Sequence, residues 1–182
     1  MKTTQNLFLS RLKNRIRFIS KTQCDFFVEG SITALENQGH SSGVILKVEG
    51  DISTNFKLSW RIKPMKGGWQ EPKVIAENGS IAIGFFLILE LTEYDIIQQA
   101  IIGTGFDYWL GFKDSNENYD KDNFLNARLE LSGINNDTLA VVNARVREKI
   151  KQIKVSDYLN IPAYIIVTEF GQPISLFIKN RL

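Results

Sequence analysis

Apolar and polar positions alternate along this chain with two different periods. Leu9, Leu12, Ile16 and Ile19 stand three or four residues apart with basic residues between them, so residues 5–20 are expected to form an amphipathic helix. From Phe26 the pattern shortens. Residues 26–35, 43–49 and 56–62 are β-rich runs separated by the turn signals Asn37-Gln38-Gly39 and Gly50-Asp51, which predicts an antiparallel meander over residues 26–70. Lys66-Gly67-Gly68 and Pro72 then mark a loop into the second half.

Residues 77–91 form a continuous apolar run with no clear period. It reads as a helix from about Glu77, with a central strand from Ile81 as the alternative. Thr92 is placed to cap a further turn-rich, helical segment to Ile102, which Gly103 and Gly105 would end before a strand over residues 106–112. An acidic, Asn-rich loop at 113–123 leads to a strand at 127–132. Asn136 or Asp137 can then cap a helix carrying Leu139, Val142, Val146, Ile150 and Ile153, and strands at 163–170 and 174–179 meet around Gly171-Gln172-Pro173. The expected fold is α/β (α+β). It has a mixed central sheet flanked by helices in one domain of 182 residues, with a basic N-terminal helix (1–25), the meander (26–70) and an α/β core (77–182).

Composition narrows the class. Apolar residues make up 43% and charged residues 23%, the profile of a globular domain rather than a disordered one. Cys24 is the only cysteine, which excludes an internal disulfide and a thiolate-built zinc site; a cytoplasmic setting is expected. The longest apolar stretch, 81–89, is too short for a bilayer, so no membrane partner is expected. Net charge is only +2, but Lys2, Arg11, Lys13, Arg15, Arg17 and Lys21 cluster without an acid in residues 1–21. Such a basic end can contact phosphate backbones or simply be a solvated face.

Two stretches carry the candidate chemistry, Gly103-Thr-Gly-Phe-Asp107-Tyr-Trp-Leu-Gly111 and Ala127-Arg128-Leu-Glu130-Leu-Ser132-Gly-Ile134. Each sets an acid in an apolar strand-like run, where burial of even a neutral polar group without a partner costs about 2 to 7 kcal/mol. Side chains two apart on a strand share a face, so Arg128, Glu130 and Ser132 project together, and Asp107 on the preceding strand can lie near Glu130. A divalent cation would let both carboxylates stay ionised.

An acid on one strand, a second on the next and a helix after it resemble the PD-(D/E)XK restriction-endonuclease-like superfamily over about residues 77–170. The resemblance implies Asp107 and Glu130 as ligands of Mg²⁺ or Mn²⁺, Glu77 as a further helical ligand, Ser132 in the catalytic site, and nucleic acid as substrate. The pattern departs at Ser132, where the family has lysine. Some members carry that lysine on the next helix, where Arg145, Arg147 and Lys149 are available. The two stretches are also similar to those of small bacterial proteins found beside mobile or defence genes. A retained fold without activity, acting as an interaction module with a protein partner, is the alternative function.

A structural reading stands beside both: Asp107 paired with Arg128 or with backbone near Gly103 and Gly105, and Glu130 paired with Arg145 or Lys149. His40 is expected in a surface loop, Cys24 has no partner signature for thiol catalysis, and Trp60, Trp69 and Trp109 read as packing residues, with an exposed stacking role open to Trp69. Gly103-x-Gly105 precedes a strand rather than a phosphate-facing helix, so it is no dinucleotide fingerprint.

Overall fold

A computed structural model describes residues 4–180. Among these residues eleven α-helices and strands follow one another: β1 (Gln5–Phe8), α1 (Lys21–Asn37), β2 (Val44–Gly50), β3 (Thr54–Ser59), α2 (Pro72–Leu91), β4 (Tyr94–Gln99), β5 (Tyr108–Phe112), β6 (Ala127–Ile134), α3 (Leu139–Ile153), β7 (Ala163–Glu169) and β8 (Ile174–Asn180). All the strands join one mixed sheet in the order β1-β3-β2-β8-β7-β6-β5-β4. Helices α1 and α2 cover one face over a core that includes Leu46, Leu58, Leu129, Leu131 and Ile166, while α3 covers β6, β7 and β8 on the other over Ile165, Val167 and Leu176. This is the α/β class expected, with helices on both faces of a mixed sheet.

The N-terminal quarter differs from expectation. Residues 5–20 are not a helix: Gln5–Phe8 pair in parallel with Phe56–Ser59, and Leu9–Asn14 form a short 3-10 turn that buries Leu9 and Leu12. The helical spacing of those leucines is met by one tight turn, and the parallel pairing is a long-range contact with no local signal. Residues 26–35 are not a strand but the centre of α1. The Ser20 hydroxyl accepts the Gln23 N–H at 3.1 Å, and Cys24, Phe27, Val28, Ser31, Ile32 and Leu35 form one buried helical stripe. The meander therefore reduces to the β2–β3 hairpin, and β2 continues the sheet by running parallel to β8.

The apolar run is helical, as favoured, but starts at Pro72, whose fixed φ suits a first helical turn. It crosses α1 where Gly30 and Gly79 meet and the Ser31 hydroxyl donates to the Gly79 carbonyl at 2.5 Å. Among the described residues α2 is the one helix long and apolar enough to span a bilayer, and 67% of its most apolar stretch is buried inside the protein, which makes it a core helix. Residues 94–99 form edge strand β4 rather than a turn-rich helical segment. A bulge after Ile96 buries Ile96 and Ile97 together and breaks the alternation by which a strand is recognised.

Candidate active site

The site exists because β5 is short. It pairs with β6 only from Tyr108 opposite Leu129 to Leu110 opposite Ala127, so the next residues of β6 have no strand beside them on that edge. Asp107 stands at the point of departure. Its N–H donates to the Leu129 carbonyl at 2.9 Å, and its Oδ2 accepts the Leu131 N–H at 2.8 Å, replacing the next rung of the ladder with a side chain. The turn before it is set by Gly105, whose φ of +82° and approach to the Gln152 carbonyl exclude a side chain; an added Cβ would lie 2.6 Å from that oxygen. Beyond this break opens a cleft of about 280 Å³ lined by Glu77 and Ser80 of α2, Asp107 and Tyr108, Ser132, and Arg145 and Lys149 of α3.

Strand β6 is buried along its whole length, yet alternate residues on one face are polar. Each meets a partner on or just after α3. Ser132 accepts from Arg145 at 3.0 Å, Glu130 Oε1 accepts from Lys149 at 2.5 Å and from Gln152 at 3.0 Å, and Arg128 donates to the Ile153 carbonyl, Ser156 and Asp157. The spacing works because residues 145, 149 and 152 recur on one face of a helix while 128, 130 and 132 recur on one face of a strand. Leu129 and Leu131 point the other way into the α2 core.

Arg128 does not pair with Asp107. Its fully buried guanidinium is held by Asp157 at 3.2 Å and the Ile161 carbonyl at 2.9 Å, which makes it an anchor for the turn after α3. Of the three candidate cations Arg145, Arg147 and Lys149 on α3, Lys149 and Arg145 line the cleft, while Arg147 is exposed. Glu77 lines the cleft mouth with its side chain half exposed, near Lys73 at 3.9 Å. Among the described residues no group of three His, Cys, Asp or Glu side chains gathers as a ligand set, so the two strand acids form a pair with Glu77 at its rim.

Electrostatically the pair is under tension. Burial, and then the neighbouring Asp107 charge, push the Glu130 carboxyl up to about 7 against the downward pull of Lys149. Burial also raises Asp107, opposed by the Leu131 N–H and Lys149. Glu130 Oε2 is fully buried and meets no hydrogen-bond donor among the described residues. Two ionised carboxylates cannot donate to each other, so this oxygen is satisfied either by a proton shared with Asp107 or by a cation. An orphaned buried carboxylate oxygen facing a second acid fits a divalent oxygen-loving metal ion.

Elsewhere, His40 is partly buried in the loop after α1, its Nε2 3.1 and 3.0 Å from the Phe170 and Gly171 carbonyls. Trp60 and Trp69 are buried, Trp69 against Phe26 at 4.9 Å, which removes it as an exposed stacking platform. Gln152 had no signal in the sequence, since nothing local marks which polar residue of a helix faces a buried acid. Comparison of the chain with known protein families, with curated proteins and with solved structures returned no match.

Proposed function

We propose that this protein is a divalent-metal-dependent phosphodiesterase acting on nucleic acid, with its site at the break between β5 and β6. The observation that carries the reading is the fully buried Oε2 of Glu130, which meets no hydrogen-bond donor among the described residues and lies beside Asp107, behind a cleft lined by Asp107 and Lys149. The element order supports this reading: Asp107 immediately precedes β5, Glu130 lies on β6, and α3 follows. Asp107 and Glu130 would hold Mg²⁺ or Mn²⁺, with Glu77 supplying negative charge at the rim. When bound, such an ion polarises the phosphoryl oxygens and lowers the pKa of a coordinated water.

The chain's own residues do the rest. Lys149 keeps Glu130 oriented through its 2.5 Å contact and brings the positive charge missing at Ser132, so it takes the part of the displaced motif lysine. Its ammonium can orient a nucleophilic water and offset charge growing at the phosphate. Arg145, anchored on Ser132, presents a second cation to a substrate phosphate. A cytoplasmic location and a role beside defence or mobile genes belong to the same proposal.

The test is cleavage of labelled single- and double-stranded oligonucleotides, DNA and RNA, with Mg²⁺, Mn²⁺ or EDTA. Metal-dependent products that fall by about 100-fold or more in Asp107→Asn and in Glu130→Gln support the assignment. Cleavage that persists in both folded variants refutes it. A non-catalytic interaction module is the second reading, favoured by one observation: Lys149 and Gln152 already satisfy Glu130 Oε1. That reading expects no saturable stabilisation by either metal.

A further inference from the structure

A second pocket, of about 490 Å³, lies at the other end of the sheet, four strands from β6 and so roughly 20 Å away. Strand period builds it. Phe56, Leu58 and Trp60 point into the α1 core, so Lys57, Ser59 and Arg61 project to the opposite side, the face that α3 covers only over β6 to β8. Phe8 stands opposite Ser59 in the β1–β3 register and carries the Arg11 guanidinium 4.8 Å above its ring. Gly43, with φ +100°, closes the hairpin side. A Cβ there would meet the Lys57 stem at 3.2 Å, so glycine lets the lysine lie across the strand toward the pocket.

The lining has a one-sided chemistry. Arg11, Lys57 and Arg61 bring three cations and Ser10, Ser42 and Ser59 three hydroxyls, of which Ser59 already donates to Asn6 Oδ1 at 2.8 Å, and among the described residues no carboxylate lines the pocket. Glu36, which meets the pocket residue Trp60, accepts its indole N–H at 3.0 Å. Among the described residues none of the three cations makes an ion pair, whereas Lys13, Arg15 and Arg17 on the same N-terminal segment all do. Ser42 Oγ accepts the Trp60 backbone N–H at 2.8 Å, which leaves its own proton free to donate. Cations held together without an anion repel one another, and an oxyanion with several acceptor oxygens relieves that repulsion while filling the free donors.

We propose that this pocket binds a phosphate group, belonging either to a small phosphorylated molecule or to the backbone of a polynucleotide. The inference stands apart from the metal site and holds whether or not that site is catalytic.

Binding is measured in EDTA with two probes, inorganic phosphate by calorimetry and a labelled single-stranded oligonucleotide by fluorescence polarisation. Wild type is compared with Lys57→Ala/Arg61→Ala and with Lys21→Ala as a control for loss of a cation elsewhere on the surface; all three side chains are exposed, so each variant should keep the wild-type melting temperature. At least one probe should lose about tenfold or more in affinity in the double variant and stay unchanged in the control. Loss of phosphate binding alone assigns the pocket to small phosphorylated ligands. Loss of oligonucleotide binding, with the log-log salt slope reduced by about 0.7 for each cation removed, assigns it to a backbone. If neither probe binds, or if the double variant binds both as wild type does, the proposal is overturned.

Discussion

Replacing Glu130 by glutamine should make the protein more stable above neutral pH and leave it nearly unchanged in acid. The Glu130 carboxyl is raised from 4.5 to about 7 in the folded chain, chiefly by burial and then by Asp107. Between those two values the folded state holds a proton that the unfolded state has released. Its contribution to stability is therefore complete below pH 4.5, falls as pH rises, and is lost above about 7. At about 1.4 kcal/mol for each unit of pKa, the interval amounts to about 3 kcal/mol, and Asp107, also raised, adds in the same direction. Glutamine keeps the shape without the charge, although Lys149 then faces a neutral amide oxygen.

Urea unfolding of wild type and Glu130→Gln between about pH 5 and about pH 8 measures this, because the difference between the two curves removes the groups that do not interact with Glu130. The difference should grow with pH to between about 1 and 3 kcal/mol in favour of the variant, a melting-temperature gain of up to about 10 °C. Saturating Mg²⁺ should reverse it, since only the wild-type pair offers two carboxylates. Parallel curves would refute the reasoning, for they would mean that Glu130 has the same affinity for its proton in both states.

Three further outcomes follow from the same geometry. Lys149→Met removes the ammonium from Glu130, so metal-dependent cleavage should fall by about 100-fold and the pH at which Glu130 ionises should rise, read from a pH–rate profile and pH-dependent unfolding. Gly133→Ala places a methyl against the Ala76 carbonyl and forces α2 from β6, which should lower stability by about 3 kcal/mol in urea unfolding, with no metal dependence. Glu169→Gln disturbs a buried carboxylate that accepts the backbone N–H groups of Asp137, Gly171 and Gln172, and should cost about 2 kcal/mol by the same measurement.

The second half of the fold was far more legible than the first. Helix α3 and strands β6, β7 and β8 announce themselves through local periodicity, and the polar stripe Arg128, Glu130, Ser132 follows from strand alternation alone. The N-terminal quarter misled because Phe26, Phe27, Val28 and Ile32 are strand-favouring residues, while the helical spacing from Cys24 to Leu35 carries the opposite message and prevails through packing on α2. Strand β1 is defined by a partner some fifty residues away. In the site, the neighbourhood of Asp107 and Glu130 could be read, but not the identity of their cation. Arg145, Arg147 and Lys149 are equivalent in a sequence, and only the crossing of α3 over β6 turns the first and last inward.

The pairing of that polar stripe with α3 also restricts how the helix can move. A helix seated on aliphatic side chains can slip along a strand and exchange one apolar contact for another of similar energy. Here a slip of one turn, about 5.4 Å, would carry Lys149 away from Glu130 and the Ile153 carbonyl away from Arg128, stranding two buried charges at once. Helix α3 thus behaves as a keyed part rather than a greased one, with a single seat on the sheet, and the lysine it delivers to the cleft arrives in one position or not at all.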